Sequence, residues 1–230
     1  MPDTLISSPT DRRGFLKRTG LGLGAVAAAA SLQACDSNDP DPPASAVTLD
    51  FSSDVGVLNY AYALEQLEAA FYAAVVGNSA FSATFNADER AILRDLAAHE
   101  AIHRDFFRAA ITGAAGASAL IPNLTPDFSS VNFASKASVL STALVFEDLG
   151  VSAYNGAGRY ISNDDYLTIA GKIVSVEARH ASVIAGLITA NSIAGSGQID
   201  SNGLDKATAP GAVLAAADPF IVETITTRNT

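Results

Sequence analysis

The three histidines of this chain stand in two short motifs, and in each motif a glutamate lies three residues before a histidine. The first motif is HEAIH, which runs from His99 through Glu100 to His103, and the second is VEARH, which holds Glu177 and His180. Residues three apart lie on the same face of an α-helix, so each pair can supply a carboxylate oxygen and an imidazole nitrogen from one side of a helix. This ligand combination suits iron or manganese, and zinc can take the place of either.

Both Glu-x-x-His pairs lie on the apolar stripe of a predicted helix rather than on its polar side. One stripe reads Leu93, Leu96, Glu100, His103, Phe107 and Ile111, and the other reads Ile169, Ile173, Glu177, His180, Ile184 and Leu187. Because the apolar stripe of a helix faces the core, the two carboxylates and the two imidazoles are expected inside the protein.

Two further predicted helices carry a matching pair of residues. Glu65 is followed seven residues later by Tyr72, and Glu147 is followed seven residues later by Tyr154. Seven residues make about two helical turns, so each tyrosine shares a helix face with its glutamate. The local sequences LEQL and FEDL around the two glutamates also match. The chain therefore consists of two helix pairs, in each of which a Glu/Tyr helix precedes a Glu-x-x-His helix.

The four glutamates on these stripes require a positive partner. An isolated carboxylate in an apolar core is costly, and four that face one another also repel. No lysine or arginine lies on the same stripes. Two divalent cations would balance four carboxylates, and two neutral imidazoles would complete the ligand set. The pattern thus predicts a centre of two Fe or two Mn ions, with Zn as a substitute.

Four long segments have the apolar spacing of α-helices and are bounded by start and stop signals. They run from about 54 to 76, 87 to 112, 133 to 161 and 164 to 190. Segment 113–130 contains two prolines and several glycines and suits a long crossover between the halves of a bundle. A short fifth helix is expected at Pro210, and no alternation lasts long enough to predict a strand. The predicted fold is all-α: a four-helix bundle of two antiparallel helix pairs with a long crossover, followed by a short C-terminal helix.

The first 35 residues are interpreted as a targeting segment. Arg12 and Arg13 are followed by Phe15, in a pattern that resembles a twin-arginine export signal. The apolar region after them is too short to span a bilayer, and it ends in LQAC at Cys35, the only cysteine of the chain. This ending resembles a bacterial lipobox, in which the cysteine is lipidated. We therefore expect export to the periplasm or cell envelope, with a membrane anchor at Cys35.

The rest of the chain is predicted to form one domain behind a linker. Residues 36–49 are rich in Asp, Pro and Ser and indicate a flexible tether, so the domain is expected to span 50–230. With 49% hydrophobic residues the chain can form one sizeable core. The net charge of −10 argues against a nucleic-acid partner, because phosphate binding needs a basic surface.

The helix order Glu, Glu-x-x-His, Glu, Glu-x-x-His over about residues 50–190 resembles the ferritin-like superfamily of di-iron and di-manganese carboxylate proteins. Within it, LEQLEAAFY and the export-tagged start are similar to bacterial ferritin-like domain proteins related to desiccation-associated proteins. The resemblance implies terminal carboxylate ligands, bridging carboxylates, imidazole ligands and tyrosines that hydrogen-bond the carboxylates. Glu65 and Glu147 would be the terminal ligands, and Glu100 and Glu177 would bridge. His103 and His180 would be the imidazole ligands, and Tyr72 and Tyr154 the tyrosines.

Some assignments stay open at the level of sequence. Glu68 lies one turn from Glu65 and competes with it for the ligand role. His99 lies about 100° away from the stripe of His103, which favours a surface position or a place beside the site over a ligand role. Tyr72 and Tyr154 can also be plain core aromatics whose hydroxyls find a carboxylate.

Three functions fit a metal centre of this kind. The first is redox chemistry with dioxygen or peroxide, as a ferroxidase or a manganese-catalase-like enzyme in stress protection. The second is a non-catalytic envelope or stress protein in which the metal site only stabilises the bundle or is vestigial. The third is a ferritin storage cage, which is disfavoured because a lipid anchor and a tether are difficult to accommodate in a closed shell. The sequence is also compatible with a homodimer.

Overall fold

The computed structural model describes residues 46–230, in which four long helices form a bundle. They are α1 (Asp54–Gly77), α2 (Ala87–Ala115), α3 (Lys136–Ala157) and α4 (Asp164–Ile188). Contacts between helices join mainly α1 to α2 and α3 to α4, so the bundle is built from two helix pairs. Buried apolar side chains from all four helices form a common core. The prediction of an all-α four-helix bundle is confirmed.

The helix starts follow the capping residues of the sequence. Ser53 caps α1 and accepts a hydrogen bond from the backbone N–H of Gly56. Asn86 and Glu89 form a capping box at α2, because each side chain accepts from the backbone N–H of the other residue. At α4, Asn163 accepts from N–H groups of the first turn. Capping side chains satisfy N–H groups that have no partner inside the helix, which is why the predicted starts of these three helices are correct.

Other helix bounds differ from the prediction by a few residues. Helix α2 continues to Ala115 instead of ending at 112. Helix α3 begins at 136 rather than 133, because Ser135 caps it by accepting from the N–H of Ser138. It ends at 157 rather than 161, where the chain passes into the 3₁₀ turn Gly158–Tyr160. Local side-chain caps and tight turns set these ends, and apolar spacing does not reveal them.

The crossover between the two helix pairs, residues 116–135, runs alongside α1 and is held by two buried polar side chains. Asn59 accepts a hydrogen bond from the N–H of Ile121 at 2.9 Å, and Gln66 accepts from the N–H of Leu124 at 2.9 Å. These bonds satisfy backbone groups of an irregular segment that packs against the bundle. Two polar residues on α1 thus fix the path of the crossover.

A two-stranded parallel sheet, which the sequence did not predict, joins the two ends of the described chain. Strand β1 (Val47–Asp50) pairs with β2 (Ile225–Arg228), with Val47 opposite Ile225. Val47 and Leu49 are buried in the main core cluster. The expectation of a chain without strands is therefore wrong. Strands of four residues are too short to show a clear alternation, and their pairing partners lie at opposite ends of the sequence.

Strand β1 also corrects the boundary of the tether. Residues 47–49 belong to a strand packed on the bundle, so the tether does not extend to 49 as expected. The remaining expectations for this region, namely the targeting segment 1–35 and lipidation at Cys35, lie outside the described residues. Within 46–230, no helix combines the length and the apolar character needed to cross a membrane.

The predicted C-terminal helix is present as α5 (Pro210–Ala217), whose apolar residues join the core. The chain before it packs tightly on α3. The N–H of Thr208 donates to the carbonyl of Ser152 at 2.9 Å, and a Cβ added to Gly156 would lie 1.9 Å from the carbonyl oxygen of Thr208. Gly156 therefore permits the close approach that docks the C-terminal segment.

Replacing Gly156 with alanine is expected to lower the free energy of unfolding by about 2 kcal/mol, because a methyl group cannot share this space with a backbone oxygen. Gly171→Ala is the matched control, since Gly171 is an exposed glycine in α4 with no atom within 4 Å of an added Cβ. Alanine there should raise stability by up to about 1 kcal/mol. Urea unfolding of both variants measures the difference, and equal effects would contradict the close packing.

Candidate metal centre

The bundle brings the six predicted ligands together at its centre, and all six side chains are buried. Helices α1 and α3 each contribute one glutamate, whereas α2 and α4 each contribute one Glu-x-x-His pair. The side chains form two groups of four: Glu65, Glu100, His103 and Glu177, and Glu100, Glu147, Glu177 and His180. Within each group, one ligand atom per residue lies within 4.8 Å of the others. The two groups share Glu100 and Glu177.

The first group surrounds the ring of His103. Nδ1 of His103 lies 2.8 Å from Oε1 of Glu177, 3.4 Å from Oε2 of Glu65 and 3.5 Å from Oε2 of Glu100. These three carboxylates come from α4, α1 and α2. The imidazole nitrogen is thus enclosed by carboxylate oxygens from three helices.

The second group repeats this arrangement around His180. Nδ1 of His180 lies 2.7 Å from Oε1 of Glu100, 3.4 Å from Oε2 of Glu147 and 3.6 Å from Oε2 of Glu177. Here the carboxylates come from α2, α3 and α4. Each shared glutamate directs one oxygen to each histidine. Oε2 of Glu100 and Oε1 of Glu177 face His103, whereas Oε1 of Glu100 and Oε2 of Glu177 face His180.

Eight polar atoms of this cluster are buried and make no hydrogen bond of acceptable angle among residues 46–230, although Nδ1 of each histidine lies close to a carboxylate oxygen. They are one oxygen each of Glu65 and Glu147, both oxygens of Glu100 and Glu177, and Nδ1 of His103 and His180. Buried polar atoms normally have partners, and leaving them unpaired is costly. The unpaired atoms are therefore the donor set that a cation site needs, and the cluster is compatible with a metal site.

The two tyrosines hold the outer carboxylates, but across the bundle rather than along their own helices. The hydroxyl of Tyr72 on α1 donates to Oε1 of Glu147 on α3 at 2.5 Å, and the hydroxyl of Tyr154 on α3 donates to Oε1 of Glu65 on α1 at 2.5 Å. Burial, together with the neighbouring carboxylates, raises the pKa of both phenols well above the usual value. Both hydroxyls thus keep their protons and fix one oxygen of each glutamate.

The charges of the cluster favour positive species. Burial alone would lower the pKa of His103 and of His180, but the carboxylates around each ring outweigh burial and raise the pKa of both to about 12. Burial raises the pKa of Glu147 to about 8, and repulsion by other carboxylates adds to this effect. Glu100 has a pKa lowered to about 2, because its contacts with both imidazoles outweigh its burial. Without metal, protons on the imidazoles supply the positive charge that the carboxylates attract.

Glu68, the rival for the ligand role, is buried near the centre but belongs to neither group of four. A Cβ added to Gly150 would lie 3.0 Å from Oε1 of Glu68, so the carboxyl group fills the space that the glycine leaves on α3. The repeat aligns LEQLE with FEDLG, which places Glu68 and Gly150 at corresponding positions. The geometry therefore favours Glu65 over Glu68 as the ligand on α1.

Replacing Glu68 with glutamine is expected to stabilise the metal-free protein at neutral pH, because the amide has no charged form to bury. Burial, with repulsion from the other core carboxylates, raises the pKa of Glu68 well above the usual value, so its charged form is unfavourable in the folded state. The gain should shrink at about pH 4, where the unfolded chain also keeps the proton. Unfolding curves in the presence of a chelator test this, and a destabilised variant would contradict it.

His99 lies outside both groups of four, but it contacts one of the predicted ligands. Its Nδ1 is 3.0 Å from Nε2 of His180, and the two rings meet edge to edge with their centroids 5.2 Å apart. Together with Ile102 and Arg179, it lines an open pocket of about 290 Å³ that also reaches the ring of His103. The apolar stripe of α2 predicts that His99 lies off the core side, and no pattern within one helix indicates its contact with a ring from another.

The fold and the cluster define a class of protein: a four-helix bundle whose core carboxylates and imidazoles are compatible with a metal site. The family model of the ferritin-like domain matches residues 53–190, which include all four bundle helices and more than half of the chain. The chain therefore belongs to the ferritin-like domain family. No curated protein matches the sequence.

Proposed function

We propose that the core cluster binds two divalent cations, two Fe or two Mn, and that the loaded centre reacts with dioxygen or peroxide. The observation that carries this proposal is the set of eight unpaired donor atoms, which divides into three oxygens and one nitrogen around each position. In this assignment Glu65 and Glu147 are terminal ligands, and the two shared glutamates bridge. Oxygen-rich ligation with one imidazole suits Fe and Mn, and the four carboxylates balance two divalent charges.

The cations would supply the redox electrons when they are bound. In the ferrous case, one hydrogen peroxide takes up two electrons and two protons and leaves as two water molecules. In the manganese case, two hydrogen peroxide molecules give two water molecules and one dioxygen molecule. The tyrosine hydroxyls keep one oxygen of each terminal glutamate in place, so that the other oxygen stays directed at the centre. The open pocket between α2 and α4 gives small molecules a path to the two ligand rings.

Metal analysis of protein matured in the cytoplasm, followed by activity assays, tests the proposal. We expect about two Fe or Mn per chain, together with oxidation of added Fe(II) or consumption of hydrogen peroxide. Two zinc ions without turnover would instead support the non-catalytic alternative, in which the metals only hold the bundle together. Protein that binds no divalent cation under any loading condition would overturn the redox function and the stabilising role of the metals, and would favour a vestigial site.

We also propose that the protein acts in stress protection at the periplasm or cell envelope and is anchored to the membrane at Cys35. The support is the twin-arginine-like pattern around Arg12 and Arg13 and the lipobox-like LQAC sequence. A twin-arginine route moves folded proteins, so metal could be inserted before export. Replacing both arginines with lysine should retain the protein in the cytoplasm, and Cys35→Ser should release it from membranes. Unchanged fractionation of both variants would overturn the proposal.

A further inference from the structure

The two Glu-x-x-His motifs differ at the residue before the glutamate. In HEAIH this residue is His99, and in VEARH it is Val176. The contact between Nδ1 of His99 and Nε2 of His180 therefore has no chemical counterpart in the other half of the bundle, because a valine side chain cannot hydrogen-bond a ring nitrogen. The repeated site is thus asymmetric at this pair of positions.

The contact involves the nitrogen of His180 that faces away from the carboxylates. Nδ1 of His180 lies among the glutamate oxygens, so Nε2 is the nitrogen left to carry the proton when Nδ1 acts as a neutral ligand. Nδ1 of His99 can accept that proton in a hydrogen bond at 3.0 Å. The rings are nearly parallel, with an angle of 11° between them, which further restricts the ring of His180.

A hydrogen bond to the outer nitrogen of a metal-binding imidazole selects its tautomer, orients its ring and makes it a better donor. We propose that His99 is a positioning residue for His180 and that it makes the two cation positions unequal, so that the position at His180 is occupied first and more tightly than the position at His103. This inference rests on the proposed function, because it requires two cation positions.

Replacing each of His99 and Val176 with the residue found at the other position gives a direct test. Metal-free wild type, His99→Val and Val176→His are each titrated with Mn(II), and free Mn(II) is followed by its EPR signal while calorimetry records the steps. Wild type is expected to bind in two steps. His99→Val should weaken the tighter step by about 10- to 100-fold and leave the weaker step within about twofold. Val176→His should strengthen only the weaker step.

Two controls separate positioning from a general structural effect. His99→Gln supplies an amide oxygen as an acceptor and should recover most of the lost affinity. Ile102→Val lies in the wall of the same pocket and should leave both steps unchanged. Because the side chain of His99 is exposed, unfolding of the metal-free variants should stay close to wild type.

The outcomes distinguish this inference from the function on which it rests. Two steps that His99→Val leaves unchanged, or weakens equally, would overturn the positioning role while the dinuclear centre stands. Failure of His99→Gln to recover affinity would also count against it. A wild-type protein that binds neither Mn(II) nor Fe(II) would overturn the proposed dinuclear centre itself.

Discussion

Replacing Glu177 with glutamine is expected to abolish cation binding at both positions, with a loss of affinity of more than about 100-fold at each. Glu177 directs Oε1 toward His103 and Oε2 toward His180, so this one residue of α4 belongs to both groups of four. An amide has one weakly donating oxygen and cannot bridge two cations with a negative charge. Because removing a partner outside the ligand set already costs about 10- to 100-fold, loss of a bridging ligand should cost more.

The terminal and neighbouring glutamates of α1 provide matched comparisons. Glu65→Gln removes an oxygen from the first group alone and should eliminate one equivalent of bound Mn(II) while the other remains. Glu68→Gln changes a buried glutamate one turn away and should retain both equivalents. Isothermal titration of the three variants decides the assignment. Loss of metal in Glu68→Gln with retention in Glu65→Gln would show that the ligand on α1 has been assigned to the wrong residue.

The metal-free protein is expected to lose stability as pH rises from about 5 to about 8, by about 2 kcal/mol or more. Glu147 has its pKa raised from 4.5 to about 8, so the folded protein holds a proton that the unfolded chain has released. His103 and His180 act in the same direction above pH 6.5, because their pKa values are raised to about 12. Glu100 acts in the opposite direction, but only below pH 4.5, because its pKa is lowered to about 2.

Chemical unfolding in the presence of a chelator, across this pH range, measures the effect. Glu147→Gln should weaken the dependence of the free energy of unfolding on pH, because it removes one of the groups that hold a proton in the folded protein but not in the unfolded chain. The stabilisation by added Mn(II) should increase with pH, since cations displace these protons and bind more tightly as pH rises. The gap in melting temperature between loaded and metal-free protein should therefore widen with pH. A metal-free protein whose stability rises from about pH 5 to about pH 8 would contradict this account.

The cluster of carboxylates and imidazoles could be anticipated because its signals are local to each helix. Spacing of three residues places Glu100 with His103, and apolar stripes direct both toward the core. The order of the four motifs along the chain then indicates which carboxylates meet. The capping side chains at the starts of three helices are equally local, and these helices begin at the expected residues.

Features that depend on how helices face one another could not be predicted in this way. Spacing within one helix puts Tyr72 on the face of Glu65, yet the long tyrosine side chain reaches Glu147 of the opposite helix. His99 is off the stripe of its own helix, but the ring of His180 extends to meet it from another. The sheet was missed for the same reason, since each strand gains its hydrogen bonds only from the other end of the chain.

The pairing of β1 with β2 has a consequence for the order of folding. Thr48 and Thr226, which face each other in the sheet, are 178 positions apart in the chain. Contacts between distant positions form late, because closing a long loop restricts many chain conformations before any contact offsets that loss. The α1–α2 and α3–α4 pairs join neighbours in sequence and can form while synthesis continues. Burial of Val47 and Leu49 must wait for β2, so the start of the described chain becomes protected from proteolysis only when its last residues have been made.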